Sequence, residues 1–266
     1  MAVELRPSTA VSRGELAALF TAAYEGYFIP FSVDEATLRY MVDVFDLDLG
    51  QSFVADDDGV LVGLANLGRR GARTWLGGVG VVPSRRGEGI GELLTRSLLE
   101  RAGALGAREM VLEVIVENLP AISLYDKLGF VRTRELEVLS LAAEANGGAA
   151  EVAPLEVVRR LVRAQREGEE PWQRDDDTVD RLLRRDRAPG GIVAGDAGAI
   201  CRTSGDTVSL VQAAGDERGL AEILASLRAR GTVSAVNYPA GGAVARALRA
   251  AGAEVRLRQY EMVKPL

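Results

Sequence analysis

Apolar residues recur along the first half of the chain at two spacings, which predict helices and strands in a definite order. Apolar positions three and four residues apart favour helices, whereas short apolar or alternating runs bounded by Gly, Asp and Asn favour strands. Helices are predicted over 14–28, 33–47, 90–106 and 119–129, and strands within 52–68, around an Asp-Gly turn, and over 73–82, 109–116 and 130–141. This order, α-α-β-β-β-α-β-α-β, predicts a mixed α/β domain.

The second half repeats this order after a short stretch of small and polar residues, AAEANGGAA, that follows Leu141. Helices are predicted over 154–167, 174–186, 218–231 and 240–252, and strands over 190–195, 197–203, 207–214, 232–237 and 254–263. Two halves with the same order of elements indicate an internal repeat. We therefore predict two domains, 1–142 and 154–266, joined by a linker at 143–153.

Composition limits the chemistry that the chain can perform. Of its 266 residues, 47% are apolar and 26% are charged, as in a soluble globular protein. The chain has no histidine, which removes mechanisms that depend on imidazole. Its single cysteine, Cys201, excludes an internal disulfide and a thiolate metal cluster, and we expect it to be a small buried residue.

Charge and hydropathy patterning indicate where the protein works. No apolar run approaches the roughly 18 residues of a membrane span, and the start of the chain does not resemble a signal peptide. The net charge of −6 argues against a general affinity for nucleic acid or acidic membranes. We expect a cytoplasmic protein with no metal, no nucleic-acid partner and no membrane attachment, and the sequence leaves its oligomeric state open.

A glycine-rich turn, Arg86-Gly87-Glu88-Gly89-Ile90-Gly91, connects a predicted strand to a predicted helix. Free N–H groups and the positive end of the helix dipole meet at such a point, which suits a phosphate or pyrophosphate. An ordinary tight turn is the alternative. The spacing Gly-x-Gly-x-Gly differs from the dinucleotide fingerprint, and the Gly-Lys-Ser/Thr of a nucleotide-triphosphate loop is absent.

A second motif follows in LEVIVENLPAISLYDKLGF, residues 112–130. It places Asn118 after a strand, Tyr125 on the next helix and Gly129-Phe130 at the end of that helix. Together with Val-x-Pro and Arg-x-x-Gly-x-Gly upstream, this pattern resembles the GCN5-related N-acetyltransferase (GNAT) superfamily over residues 76–130. The resemblance implies that superfamily's fold, a central, twisted, mostly antiparallel sheet flanked by helices, here in two tandem copies.

The resemblance also implies a site for acetyl-CoA as co-substrate, with no metal. Main-chain groups of the strand before the proline would contact the pantetheine arm and the thioester carbonyl, and the glycine loop would hold the pyrophosphate through its N–H groups. The cofactor-binding residues that the resemblance implies are Val79, Gly80, Val81, Arg86, Gly87, Glu88, Gly89, Ile90, Gly91, Glu92, Asn118 and Tyr125.

Two residues carry the implied catalysis. Tyr125 would protonate the departing thiolate. Glu113 lies five residues before Asn118, the position of the general base in the ribosomal-protein alanine acetyltransferases of this superfamily; deprotonation through water is the alternative. Asn118 can also cap the following helix. Direct transfer to an amine requires neither a metal nor an acyl-enzyme, so Glu and Tyr suffice without histidine.

The function implied is acetyl-CoA-dependent transfer to a primary amine of a small molecule or peptide. One alternative is a non-catalytic acyl-CoA-binding or sensor protein that kept the cofactor loop. Another is aminoglycoside modification, which requires an acidic acceptor cleft; Asp43, Asp46 and Asp48 are the candidates for it. Aromatic residues before the hairpin, Tyr24, Tyr27, Phe28 and Phe31, are candidates for lining the acceptor site or for core packing.

The second half aligns with the first as a degenerate copy. Residues 208–224 placed without a gap under 78–94 put Asp216 at Arg86 and Glu217 at Gly87, and Asn237 falls at Asn118. An acidic pair repels a pyrophosphate. We therefore predict that this domain does not bind coenzyme A in the usual way; an unrelated small α/β domain is the alternative.

Overall fold

A computed structural model of the chain describes residues 3–145, 147–185 and 189–266. The chain forms two compact units. The first runs up to Thr133 and includes Met262–Leu266, and the second is Arg134–Glu261. The predicted linker includes Asn146, which lies outside the described residues, and its last three residues, Glu151–Ala153, form a short strand.

The first unit follows the predicted order of elements, with one strand added at its start. Its helices are α1 (Arg13–Ala23), α2 (Glu35–Phe45), α3 (Ile90–Ala104) and α4 (Leu119–Lys127). Its strands are β1 (Glu4–Pro7), β2 (Phe53–Asp57), β3 (Val60–Arg70), β4 (Arg73–Val81) and β5 (Glu109–Ile115). Strand β1 was missing from the prediction because four residues are too few to establish a period; its pairing with β2 defines it.

Local capping defines where the first two helices begin. Ser12 and Glu15 form a reciprocal capping box, in which the Ser12 hydroxyl accepts from the Glu15 N–H at 3.2 Å. The Asp34 carboxylate accepts from the Thr37 N–H at 2.7 Å and starts α2. Helix α1 ends at Ala23, short of the predicted 14–28, because Gly26 adopts φ +70° and the chain leaves the helix.

The sheet of the first unit has the strand order β1-β2-β3-β4-β5. Neighbouring strands are antiparallel except for β4 and β5, which are parallel. Helices α1 and α2 bury an apolar face against this sheet, in a core cluster that includes Leu16, Phe20, Leu38, Val54 and Leu64. This arrangement leaves the start of α3, at the end of β4, beside the point where β4 and β5 diverge.

The second unit repeats the arrangement. Its helices are α5 (Leu155–Gln165), α6 (Asp176–Leu183), α7 (Glu217–Arg228) and α8 (Ala243–Ala250). Its strands are β6 (Val131–Leu141), which begins in the first unit, β7 (Glu151–Ala153), β8 (Gly190–Ala194), β9 (Ala197–Ser204), β10 (Thr207–Ala214), β11 (Thr232–Pro239) and β12 (Glu254–Pro265). Helix α6 ends before the predicted Asp186, which lies outside the described residues.

The sheet of the second unit includes the order β6-β11-β10-β9-β8-β7. Strands β10 and β11 are parallel, as β4 and β5 are in the first unit. Its own core cluster contains Ile192, Ile223, Leu227, Val233 and Leu248. Cys201 belongs to the same cluster, and burial raises the pKa of its thiol, so the expectation of a buried small residue is confirmed.

Candidate active site

The start of α3 carries no side-chain cap. Gly89 is its N-cap residue with φ +84°, and within the part of the chain that the structure describes no side-chain hydrogen bond caps the helix. Gly87 has φ +82°, and a Cβ built on either glycine meets no atom within 4 Å. The left-handed conformation explains why glycine occupies these positions. The first turn therefore offers main-chain donors, at the positive end of the helix dipole, in open space.

Arg86 ties this loop to the end of α1. Its guanidinium donates to three main-chain carbonyls, those of Val81 at 3.0 Å, Ala23 at 3.1 Å and Glu25 at 2.8 Å. Arg85 forms ion pairs with Asp57 and Glu88, and these hydrogen bonds raise its pKa. The arginines in front of the glycines therefore hold the shape of the loop.

Glu92, in the first turn of α3, is held by two cations. Its carboxylate lies 2.8 Å from Arg96 and 2.7 Å from Lys127 on α4. The Lys127 and Arg96 hydrogen bonds lower the pKa of Glu92. Ile90 beside it is buried and anchors the turn. The glutamate therefore links the start of α3 to the end of α4.

Strands β4 and β5 diverge next to this loop. Their pairing covers Arg73–Trp75 with Glu109–Val111, although the strands run on to Val81 and Ile115. On its other side, the stretch 79–81 of β4 pairs with β3. The facing edges of β4 and β5 beyond this point form a cleft. The predicted residues Val79, Gly80 and Val81 lie along it.

Strand β4 contains a β-bulge beside the cleft. Gly77 and Gly78 together lie opposite Asn66 alone in the register with β3, and Gly78 has φ +133°. Asn66 is fully buried, and within the described residues neither of its amide atoms has a hydrogen-bond partner. The prediction missed Asn66. Its signal was a lone polar residue in the otherwise apolar run VLVGLANLG.

Tyr125 lies in a cluster of three tyrosines. It is buried on α4, with its ring 5.6 Å from that of Phe130, and burial raises the pKa of its phenol above the ordinary value, with a smaller contribution from Tyr27. Burial also raises the pKa of Tyr24, and Tyr27 and Tyr125 add to that shift. The phenol of Tyr125 therefore remains protonated at neutral pH and can donate a proton.

Asn118 connects this cluster to the start of α4. Its side-chain oxygen accepts from the Ala121 N–H at 3.3 Å, so it caps the helix. Its side chain also forms a hydrogen bond with Tyr27, which lowers the pKa of that phenol, although burial dominates and the pKa is raised overall. Asn118 therefore caps α4, as the sequence analysis allowed. The contact with Tyr27 was not predicted.

Glu113 lies on β5 and accepts a hydrogen bond from the Trp75 indole N–H at 2.8 Å. The Trp75 ring in turn lies 5.9 Å from that of Phe45 at the end of α2. Glu113 is half-buried. These contacts fix the carboxylate on the strand that borders the cleft.

The segment after α1 forms an aromatic cavity of about 540 Å³. Tyr24, Tyr27 and Phe31 line it, with ring centroids 5.0 Å apart for both the Tyr24–Tyr27 and the Tyr24–Phe31 pairs. Phe28 lies 5.4 Å from Tyr27 and is half exposed. Of the residues considered for an acidic acceptor cleft, Asp46 is in an ion pair with Arg70 at 2.9 Å and caps the C-terminal end of α2.

The start of α7 in the second unit, which is equivalent to the start of α3, has a side-chain cap. The connection from β10 to α7 consists of Gly215 and Asp216 alone, and the Asp216 carboxylate caps α7 by accepting from the Gly219 N–H at 2.7 Å. A Cβ on Gly219 would lie 2.5 Å from the Ala194 carbonyl oxygen. Asn237, aligned with Asn118, lies within β11 with φ +57°, whereas Gly242 precedes α8.

The described residues contain no group of three or more His, Cys, Asp or Glu side chains that could hold a metal ion. Among these residues, no helix combines the length and apolar character required to cross a bilayer.

Part of the chain is similar to a known protein family. Residues 16–130 match the Acetyltransferase (GNAT) family. N-alpha-acetyltransferase 30 of Schizosaccharomyces pombe is 39% identical over 64 residues, which are 24% of this chain and 43% of that protein. The chain therefore matches less than half the length of that relative.

Solved structures extend the likeness to the whole chain. A GCN5-related N-acetyltransferase from Sphaerobacter thermophilus superposes with a TM-score of 0.73 at 17% identity, covering 99% of this chain and 95% of that one. A tandem GNAT protein from the clavulanic acid biosynthesis pathway gives 0.64 at 16% identity, covering 99% and 98%. At such identities the likeness concerns the fold. The family match is therefore confined to residues 16–130, and along its length the chain shares its fold with these two structures.

Proposed function

We propose that the first unit transfers an acetyl group from acetyl-CoA directly to a primary amine. One observation carries this proposal: a helix N-terminus without a side-chain cap opens beside a strand cleft that borders a buried, protonated tyrosine. The uncapped turn suits the pyrophosphate of coenzyme A, because free N–H groups and the helix dipole attract an anion. When bound, acetyl-CoA supplies the acetyl group as an activated thioester.

The residues of the loop and cleft fit this co-substrate. Open space at Gly87 and Gly89 allows phosphates to approach the main chain. The edge of β4 at 79–81 offers main-chain groups to an extended arm, because its pairing with β5 has already ended. Arg86, Glu88 and Glu92 act as positioning residues, since their side chains are bound to other parts of the first unit.

Tyr125 acts as general acid in this proposal. Like any tyrosine below its ordinary pKa of 10.0, it carries its phenol proton at neutral pH, and that proton is available to the sulfur as the thiolate leaves. Asn118 supports Tyr27, the neighbour of Tyr125, by a hydrogen bond. The tyrosine cluster thus holds the acid in one protonation state.

Glu113 acts as general base, taking the amine's proton through water. The Trp75 hydrogen bond holds its carboxylate in place. Deprotonation by water alone is the alternative. Holding both reactants in line can contribute about 7–11 kcal/mol in the best cases, and a placed acid or base about 10²–10⁴-fold.

The amine enters, in this proposal, through the aromatic cavity after α1. Faces of Tyr24, Tyr27 and Phe31 line it, and aromatic faces attract both an ammonium group and an apolar chain. A primary amine on a small molecule or a peptide fits these walls. The second candidate, a non-catalytic acyl-CoA sensor, shares the cofactor loop and predicts binding without turnover of any amine.

Calorimetric titration with acetyl-CoA tests the cofactor site. Gly89→Asp puts a carboxylate at the N-cap of α3, as Asp216 does at α7, and we expect about 10–100-fold weaker binding from charge repulsion. Gly89→Asn is the matched control, since Asn has the same shape and also tolerates the left-handed conformation; it should bind within about threefold of wild type. Equal affinities for Asp and Asn would contradict the loop as the pyrophosphate site.

A further inference from the structure

The second unit contains its own cleft, where β10 and β11 diverge. These strands pair over Thr207–Leu210 with Thr232–Ala235 and then separate. A cavity of about 420 Å³ opens there. Its walls come from three segments of the second unit, residues 213–215 at the end of β10, 238–245 from β11 to α8, and 165–170 after α5.

The charged groups around this cavity are paired or solvated. Among its glutamates, Glu135 and Glu167 pair with Arg258 and Arg246, and Glu169 is exposed to solvent. Three arginines line the cavity, and each has a carboxylate partner: Arg134 with Glu261 at 2.7 Å, Arg166 with Asp176 at 3.4 Å, and Arg174 with Glu170. The remaining walls are mostly small or apolar, with Ala213, Ala214, Tyr238, Pro239, Val244 and Ala245. A phosphate or carboxylate would therefore find no uncompensated cation on these walls.

The helix N-terminus at the cavity is also filled. Helix α8 begins at Ala243, whose N–H donates to the Glu167 carboxylate at 3.0 Å. A carboxylate at this point takes up the donor that an anionic ligand would need. Together with Asp216 at α7, it makes this unit unsuited to the charged head of coenzyme A.

One buried donor beside the cavity is unused. Arg174 is 4% exposed and lies over the Tyr238 ring, with its guanidinium carbon 3.2 Å from the ring centroid. It donates to the Asn237 carbonyl at 3.2 Å and to Glu170. Its Nε has no hydrogen-bond partner among the described residues. Because Glu170 already balances its charge, the acceptor that suits Nε is a neutral carbonyl oxygen.

We propose that the second unit binds a small uncharged molecule in this cavity, one with an amide or ester carbonyl and an apolar body. Arg174 Nε is shielded from solvent in this conformation, and the guanidinium turns toward the cavity so that the carbonyl oxygen accepts from it. The apolar body lies against Tyr238, Val244 and Ala245. The cavity volume falls at the lower end of small-molecule sites, about 300–1,000 Å³. This site does not depend on the acetyltransferase activity of the first unit.

A charge series of probes tests the proposal on the full chain with saturating acetyl-CoA. The probes are N-acetyl-L-leucine methylamide, which is neutral, N-acetyl-L-leucine, which is anionic, and L-leucine methylamide, which is cationic. We expect the neutral probe to bind about fivefold or more tightly than either charged one. Its binding should shift the NMR signal of the Arg174 Nε–H. Absence of neutral-probe binding, or equal binding of a charged probe, overturns the proposal.

Two variants test whether the neutral probe binds in this cavity. Gly241 and Gly168 line the cavity, a Cβ on either meets no atom within 4 Å, and neither has a left-handed φ. Gly241→Trp should abolish binding of the neutral probe, and Gly168→Trp should do the same from the segment after α5. Gly190→Trp is the matched control, since Gly190 is equally open but lies outside the cavity. Retention of binding in both cavity variants, or loss in the control, overturns the assignment.

Discussion

The two strand-to-helix connections of this protein differ in length and in whether a side chain caps the helix that follows. In the first unit, residues 82–89 separate β4 from α3, and Gly89 leaves the helix start uncapped. In the second unit, only Gly215 and Asp216 separate β10 from α7. The gapless alignment places Glu217 at Gly87, so α7 begins where the first unit has its loop. The second unit has replaced a loop that exposes donors with a helical turn that uses them.

The two clefts differ in a related way. Both lie where a parallel pair of strands diverges. In the first unit a three-tyrosine cluster adjoins the cleft elements, and in the second a buried Arg174–Glu170 pair lies over Tyr238. A protonated phenol can give up a proton, whereas a compensated guanidinium only donates hydrogen bonds. Both units thus have a diverging pair of parallel strands, but the side chains beside the two pairs differ in chemistry.

The largest effect that we expect concerns the two buried phenols. Tyr125→Phe removes the proposed acid and should lower kcat about 10²–10⁴-fold, with little change in acetyl-CoA affinity. Tyr238→Phe removes an equally buried phenol from the second unit and should leave kcat unchanged. Steady-state kinetics, with an amine that the wild-type protein acetylates, measures kcat for both variants. Unchanged turnover in Tyr125→Phe would contradict the acid role.

Alkaline pH should destabilise the first unit more than the second, because the first has two fully buried phenols, Tyr24 and Tyr125, and the second has Tyr238. A tyrosine whose pKa is raised on folding keeps its proton longer in the folded chain, so its contribution to stability is lost as pH rises above the ordinary value of 10.0. Each fully buried phenol contributes a loss of about 1.4 kcal/mol by pH 11. For Tyr238, the charge of Arg174 opposes the shift.

Urea unfolding at pH 8, 10 and 11 measures this difference. The double variant Tyr24→Phe with Tyr125→Phe should flatten the fall in unfolding free energy above pH 10. Tyr238→Phe should flatten it less. A steeper contribution from Tyr238 than from the first-unit pair would show that the tyrosine cluster does not resist ionisation as its burial implies.

The smallest effect concerns the cap of α7. Asp216→Ala removes the hydrogen bond to the Gly219 N–H and should lower the free energy of unfolding by about 1 kcal/mol. Asp34→Ala, which uncaps α2 in the first unit, is the matched control for the cost of a lost cap. The number of acetyl-CoA sites per chain should stay at one in calorimetry, because the second unit lacks the loop. A second acetyl-CoA site in Asp216→Ala would mean that the Asp216 carboxylate alone prevents acetyl-CoA from binding to the second unit.

Much of the fold could be predicted because its signals are local. Periodicity located all eight helices among the described residues, and the strands of both units apart from the short β1 and β7. It extended α1 too far, since the aromatic spacing of Tyr24, Tyr27 and Phe28 continues a helical pattern that Gly26 interrupts. Capping by Asn118 was also anticipated, because a cap depends on residues three positions apart.

The sequence by itself determined the order of elements, the glycine loop and the acidic residues that replace it in the second half. Tertiary structure alone decided the partners: Arg86 binds carbonyls at the end of α1, more than sixty residues away for Ala23, and Tyr125 meets tyrosines from the segment after α1. It also decided that Arg174 lies over Tyr238 beside a cavity. Helical and turn signals are set by neighbours in the chain, whereas these contacts depend on how distant elements pack.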